Sequence, residues 1–209
     1  MNRKITCFVP LSDNESLKIT VASLEGSGIV GGIFAVVPED HAIGAAGSVT
    51  GLIKAKGFAS TEAVKKMAEA ADTEYILIYG KTSPLDLGKF GLDRMIQVCD
   101  DTDAGFVYSD YYENRDGRLS PHPVTDYQEG SLRDDFNFGS VILYSARVFR
   151  SACSRMDEDY SFAGLYDLRL RISQTDPLVH IQEFLYTEVE TDTRRSGEKQ
   201  FDYVDPRNR

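Results

Sequence analysis

The chain contains no tryptophan, and its three cysteines and three histidines stand far apart. Cys7, Cys99 and Cys153 form no C-x-x-C pair, and their odd number argues against a disulfide framework. Cys7 and Cys99 lie in apolar surroundings and read as small core residues. His41, His122 and His180 show no ligand-like spacing, so no structural metal site is expected. No apolar run reaches the roughly eighteen residues that a membrane-spanning helix needs. The apolar run at 5–10 is too short and too strand-like for a signal peptide, and the expected location is the cytoplasm. Basic charge is scarce as well. Lys plus Arg number 23 against 33 Asp plus Glu, a net charge of −10. Nucleic-acid binding needs a basic face that displaces phosphate counterions, and no stretch clusters enough Lys and Arg to make one. A small phosphorylated ligand is still compatible, provided the local field at its site is reversed.

What is present fits one ordinary domain. The chain has 209 residues, 42% hydrophobic and 27% charged, a globular rather than a disordered composition. Residues 5–9 form a short apolar run closed by Pro10, a first strand. Ser12 or Asp13 is placed to cap a helix that starts near Ser16 and carries Leu17, Val21 and Leu24. A second strand is expected at 32–37. The glycine-rich stretch 41–57 is hard to place, with a short strand near 52–55. Ser60 or Thr61 opens the clearest helix, striped by Val64, Met67, Ala68 and Ala71. Residues 75–79 are continuously apolar, as in a strand covered on both faces. A helix at 90–99, a strand at 106–108, a long polar loop at 113–130 and a strand at 140–144 follow. Helices at 146–156 and 165–172 and one or two strands within 179–189 complete the pattern. The alternation predicts a three-layer α/β/α sandwich with a mostly parallel central sheet, with ligands beyond the carboxyl ends of the strands. Residues 1–190 are read as this domain. Residues 191–209 are read as a charged tail or linker, which suggests a longer parent chain with a further C-terminal domain.

Three familiar spellings lack the context their chemistry needs. Gly26-Ser27-Gly28-Ile29-Val30-Gly31 spells G-x-G-x-x-G, but a helix precedes it and a strand follows, the reverse of a dinucleotide site. It reads as a helix C-cap and turn. Gly80-Lys81-Thr82 ends like a phosphate-binding loop, but the earlier glycine would fall at Tyr75, inside a strand. Asp101-Thr102-Asp103 spells D-x-D at the amino end of a strand, away from ligand chemistry, and reads as a solvated turn. No G-x-S-x-G occurs, so hydrolytic triad chemistry has no support.

Several spaced features together resemble family-2 glycosyltransferases, inverting enzymes of the GT-A (nucleotide-diphospho-sugar transferase) fold. They are Ile5-Thr6-Cys7-Phe8-Val9-Pro10 with Ser12-Asp13-Asn14-Glu15, then Phe34-Ala35-Val36-Val37-Pro38-Glu39-Asp40, and Glu74-Tyr75-Ile76-Leu77-Ile78. Phe106-Val107-Tyr108-Ser109-Asp110, the segment from Gly139 to Phe149 and Asp167-Leu168-Arg169-Leu170-Arg171-Ile172 extend the likeness over roughly residues 5–187. The resemblance implies transfer of a sugar from a nucleotide-sugar to a glycan or other hydroxyl acceptor, with inversion. It implies that Pro10, Ser12, Asp13 and Glu39 hold the nucleotide, that Lys81 and Thr82 face the diphosphate, and that Asp110 approaches the donor sugar.

Two departures qualify it. The family's metal-binding D-x-D falls here on Gly80 and Thr82, which supply no carboxylate. Mn²⁺ or Mg²⁺ is therefore in question, and no metal ligand is assigned. An ammonium at Lys81 offers a substitute charge, against the plainer reading of a solvated loop lysine. The family's "ED" pair, which holds the catalytic base, falls on Gly164 and Leu165, leaving Asp167 as the best remaining base. Loss of both motifs also fits a catalytically inactive GT-A-like domain that binds a nucleotide or glycan or serves as a scaffold. A nucleotidyltransferase is disfavoured, because residues 11–16 contain neither glycine nor a basic residue.

Overall fold

The computed structural model describes residues 4–40, 49–133 and 136–189. Part of the glycine-rich stretch and the expected tail lie outside the described residues. In chain order the elements are β1 (Ile5–Pro10), α1 (Asn14–Gly26), β2 (Val30–Val37), β3 (Gly51–Lys54), α2 (Thr61–Ala70), β4 (Tyr75–Tyr79) and β5 (Leu85–Leu87). They continue with α3 (Gly91–Thr102), β6 (Phe106–Arg115), β7 (Arg118–His122), β8 (Val141–Ser145), α4 (Ala146–Cys153), α5 (Gly164–Ser173) and β9 (Leu178–Val189). The strands form one sheet in the order β3-β2-β1-β4-β8-β6-β9-β5, with β7 paired to β6. Strands β1–β4, β6 and β9 run one way, while β5, β7 and β8 run the other. The result is the mixed, mostly parallel α/β sandwich that the alternation predicts.

Local chemistry explains the framework. Asp13 caps α1, its carboxylate accepting the amides of Glu15 at 3.0 Å and Ser16 at 2.9 Å. Those bonds hold its carboxyl below the usual range. Leu17, Thr20, Val21 and Leu24 then fall on one buried face. Gly28, at φ +73, turns the chain from α1 into β2, so the G-x-G-x-x-G spelling is a helix end. The hydroxyl of Ser60 accepts the Ala63 amide at 3.1 Å and caps α2. In β4, Ile76 and Ile78 enter the core shared with α2, α4 and α5. Tyr75, Leu77 and Tyr79 enter the core under α1 and α3. That two-sided burial is why the segment reads as continuously apolar.

The structure corrects the polar loop expected at 113–130. Strand β6 runs on to Arg115 and returns through β7. Asp116 and Gly117, with φ of 52 and 80, make the two-residue turn that hairpins favour. The fourth helix ends at Cys153, short of the expected Met156. The last strands are one strand, β9, whose pairing with β6 shifts register on both sides of Asp110. Past Tyr108, where its pairing with β8 ends, β6 continues to Arg115 paired with β9 and β7.

Candidate functional site

The strands β1, β2 and β4 end together, and β8 starts beside them in the opposite sense. Tyr79 pairs with Val141, and the Gly80 amide donates to the Ser140 carbonyl at 2.8 Å. A cavity of about 330 Å³ opens at this edge. The turns at Gly80–Lys81 and Gly139–Ser140 form its floor, and Glu188 of β9 closes one side. Leu165 and Arg169 of α5, with Phe58 and Ala59 ahead of α2, form the facing wall.

Glu188 organises this cavity. Its residue is fully buried, with 0% exposure. The Lys81 ammonium donates to one carboxylate oxygen and the Ser140 hydroxyl to the other. The Ser140 amide in turn donates to the Tyr186 hydroxyl at 2.9 Å. Burial pushes the Tyr186 phenol well above its usual range, which keeps that hydroxyl neutral. Gly139 sits at φ +73, and any side chain there would meet the Tyr186 hydroxyl. Among the described residues lining the cavity the charged groups are Lys81, Arg169 and Glu188, two cations against one carboxylate. In a chain of net charge −10, this is a local reversal of sign.

The expected site residues divide. Lys81 lines the cavity; the others do not. Pro10 closes β1 at the same sheet edge. Ser12 donates to the Asp13 carbonyl at 3.4 Å, and Asp13 is committed to capping α1. Glu39 is exposed, its backbone carbonyl accepting from the Lys54 ammonium at 3.3 Å. Thr82 is exposed.

Asp110 is buried and doubly held. It accepts the Val124 amide at 2.8 Å and contacts His180 Nε2 at 2.9 Å. His180 Nδ1 meets Asp126 at 2.5 Å, and its ring stacks on Tyr108 at 5.0 Å. The His180 bond, with the Gln182 amide donating to both carboxylate oxygens at 3.3 Å, holds the Asp126 carboxyl below its ordinary range. The Tyr108 hydroxyl donates to the Thr125 carbonyl at 2.9 Å and accepts the Tyr127 amide at 2.8 Å. This cluster fastens the 122–127 segment to the sheet.

Asp167 accepts from Arg171 Nε at 2.9 Å, and the same guanidinium donates to the Arg155 carbonyl. The places of the "ED" pair have a packing explanation. A methyl on Gly164 would overlap the backbone of Ser60 and Thr61, so α5 approaches α2 where only glycine fits. Leu165 is buried and lines the cavity.

Two functional candidates were not singled out in the sequence. Glu188 lies in the strand expected within 179–189, and nothing in that local pattern marks it as buried. Arg169 lies four residues after Leu165, within the buried stripe Leu165, Leu168 and Ile172. A charged residue on an apolar helical face is the signal that points to it. A larger hollow, about 700 Å³, lies between α1 and the N-terminus of α3, and no expected site residue lines it. The smaller cavity holds the convergent charges and lies where the strands end, so it is the candidate site.

The sequence matches no protein-family model and no curated protein. Solved structures do resemble it. Residues 1–349 of S. aureus TarS share the fold at a TM-score of 0.60 and 11% identity, over 89% of this chain and 60% of that one. The TarS 1–349 structure in complex with UDP-GlcNAc gives a TM-score of 0.62 and 10% identity, over 95% and 62%. The chain thus spans about three fifths of the length of those chains. At such identity the likeness shows the fold, which is of the GT-A type.

Proposed function

We propose that this chain is a glycosyltransferase-type domain that binds a nucleotide-sugar at the carboxyl edge of β1, β2 and β4, with the diphosphate toward Lys81. One observation carries the reading. An acidic protein presents a cavity whose described lining carries two cations and one carboxylate, where a sheet of this fold class receives its ligand. The TarS complex with UDP-GlcNAc supports a nucleotide-sugar as the ligand class, and UDP-GlcNAc is the first donor to try.

A divalent cation does not fit the residues present. Gly80 and Thr82 offer no carboxylate, and Glu188, the one carboxylate among the described lining residues, already accepts from Lys81 and Ser140. Among the described residues no group of three His, Cys, Asp or Glu side chains is placed to hold a metal. In this reading, positive charge for the diphosphate comes from side chains.

Transfer with inversion requires a base beside the acceptor hydroxyl. Asp167 is engaged by Arg171, and Asp110 by His180 and Val124. These commitments favour a second reading, in which the domain binds its ligand or acts as a scaffold without transferring sugar.

Thermal unfolding against UDP-, GDP-, CMP- and dTDP-sugars tests the first step, since a ligand of the native state raises the melting temperature. Stabilisation by one nucleotide series supports the donor site. No stabilisation by any of them at about millimolar concentration, roughly ten times a Kd near 100 μM, removes it. Release of free nucleotide in the presence of hydroxyl acceptors then separates transfer from binding alone.

A further inference from the structure

The charges around the cavity are unequally satisfied. Lys81 is neutralised by the buried carboxylate of Glu188. Arg169 is not. It belongs to α5, one turn beyond Leu165, and lines the same cavity. Its Nε is buried and meets no hydrogen-bond acceptor among the described residues. Its guanidinium lies over the Phe138 ring, 5.6 Å from the centroid, and Phe138 is itself buried. That ring attracts the cation through its π face but supplies no oxygen acceptor. A buried donor left unpaired is costly, and its retention calls for an explanation. The terminal guanidinium nitrogens make no hydrogen bond among the described residues either and, unlike Nε, are not sealed from solvent, so they are the donors that a ligand in the adjoining cavity can reach.

The structure assigns to Arg169 an oxyanion site at the α5 wall of the cavity, separate from Lys81 at the β4 edge. The chemistry is that of a phosphoryl or carboxylate group, which a guanidinium grips through two parallel N–H donors. Two sources present it: the diphosphate of the donor, or an anionic group on a second ligand sharing the cavity. The first rests on the donor reading above; the second does not.

Isothermal titration of the full chain tests the assignment with three probes: inorganic pyrophosphate, glycerol 3-phosphate, and the nucleotide-sugar that best stabilises the native protein. The wild type binds at least one probe. Arg169→Gln binds that probe at least about tenfold more weakly, as expected for a lost charge-assisted contact. Arg169→Lys, which keeps the stem over Phe138 and the charge but loses the fork, falls between; it is the decisive variant should Arg169→Gln fail to fold. A loss shared by pyrophosphate and the nucleotide-sugar assigns the site to the donor. A loss confined to glycerol 3-phosphate assigns it to an anionic second ligand. Binding of every probe that both variants leave within about twofold, well below the tenfold of a lost charged contact, overturns the Arg169 site, and the donor reading stands where the nucleotide-sugar is among the probes bound. Pyrophosphate or glycerol 3-phosphate bound through Arg169 by a protein that takes no nucleotide-sugar supports the site and removes the donor reading. No binding of any probe overturns the assignment.

Discussion

Lys81 and Glu188 make an unequal pair, and the inequality sets the outcome of mutating each. The Lys81 side chain is 38% exposed, whereas Glu188 is 0% exposed. Replacing Lys81 with Met leaves a fully buried carboxylate with Ser140 as its remaining partner. Removing one partner of a buried pair costs about 3–5 kcal/mol, because the other charge is stranded. Water reaches the lysine side of this pair, so the cost is discounted to about 2 kcal/mol. For a domain of this size that lowers the melting temperature by roughly 4–8 °C. Glu188→Gln strands only an ammonium that water already solvates, and costs at most about 1 kcal/mol, or roughly 2–4 °C. The double variant regains most of the Lys81→Met loss, giving a coupling energy of about 1 kcal/mol or more. Thermal and urea unfolding followed by circular dichroism measure all four proteins. Equal losses in the two single variants that add in the double variant refute the coupling, and with it the role of Glu188 in holding Lys81 at the cavity.

Three further outcomes follow from packing and charge. Asp13, Glu62 and Asp126 have carboxyls held below their ordinary values by hydrogen bonds, chiefly from Ser16, Lys66 and His180 respectively. Groups lowered on folding contribute stability above their unfolded pKa near 4 and lose it as pH falls through the folded values; melting temperature should therefore decline below about pH 4, and less steeply in Asp13→Asn, which keeps the cap. Cys7, Cys99 and Cys153 are buried free thiols raised by desolvation, Cys99 to about 11; they should resist a thiol reagent at neutral pH in the folded protein and react together in denaturant, and rapid labelling of the native chain would contradict this. Gly164→Ala forces a methyl against the backbone of Ser60 and Thr61, and overpacking of this kind costs about 1–3 kcal/mol; an unchanged unfolding curve would show that α5 does not need its close approach to α2.

The sandwich was legible because its signals are local. Asp13 and Ser60 sit where caps belong, and β4 shows the unbroken apolar run of a strand covered on both faces. The hairpin at 106–122 was harder to read. Its β7 residues are mostly exposed, so no alternation marks them, and the Asp116-Gly117 turn stands alone as a signal. The site was legible in place but not in its partners. Lys81 could be located from the end of β4. Glu188, which holds it, lies 107 residues away on β9, and long-range pairing leaves no mark in a single sequence. Asp110 and Asp167 carry the residue type that donor contacts and bases require, yet tertiary structure gives them to His180 and Arg171. An isolated carboxylate does not announce which partner it will find.

The central claim is a donor site whose positive charge comes from side chains rather than from a divalent cation. It is tested most directly by titrating the stabilising nucleotide-sugar calorimetrically into the full chain, once in EDTA and once in Mn²⁺. Binding of the same affinity in both is expected. Binding that vanishes in EDTA and returns with Mn²⁺ would contradict it.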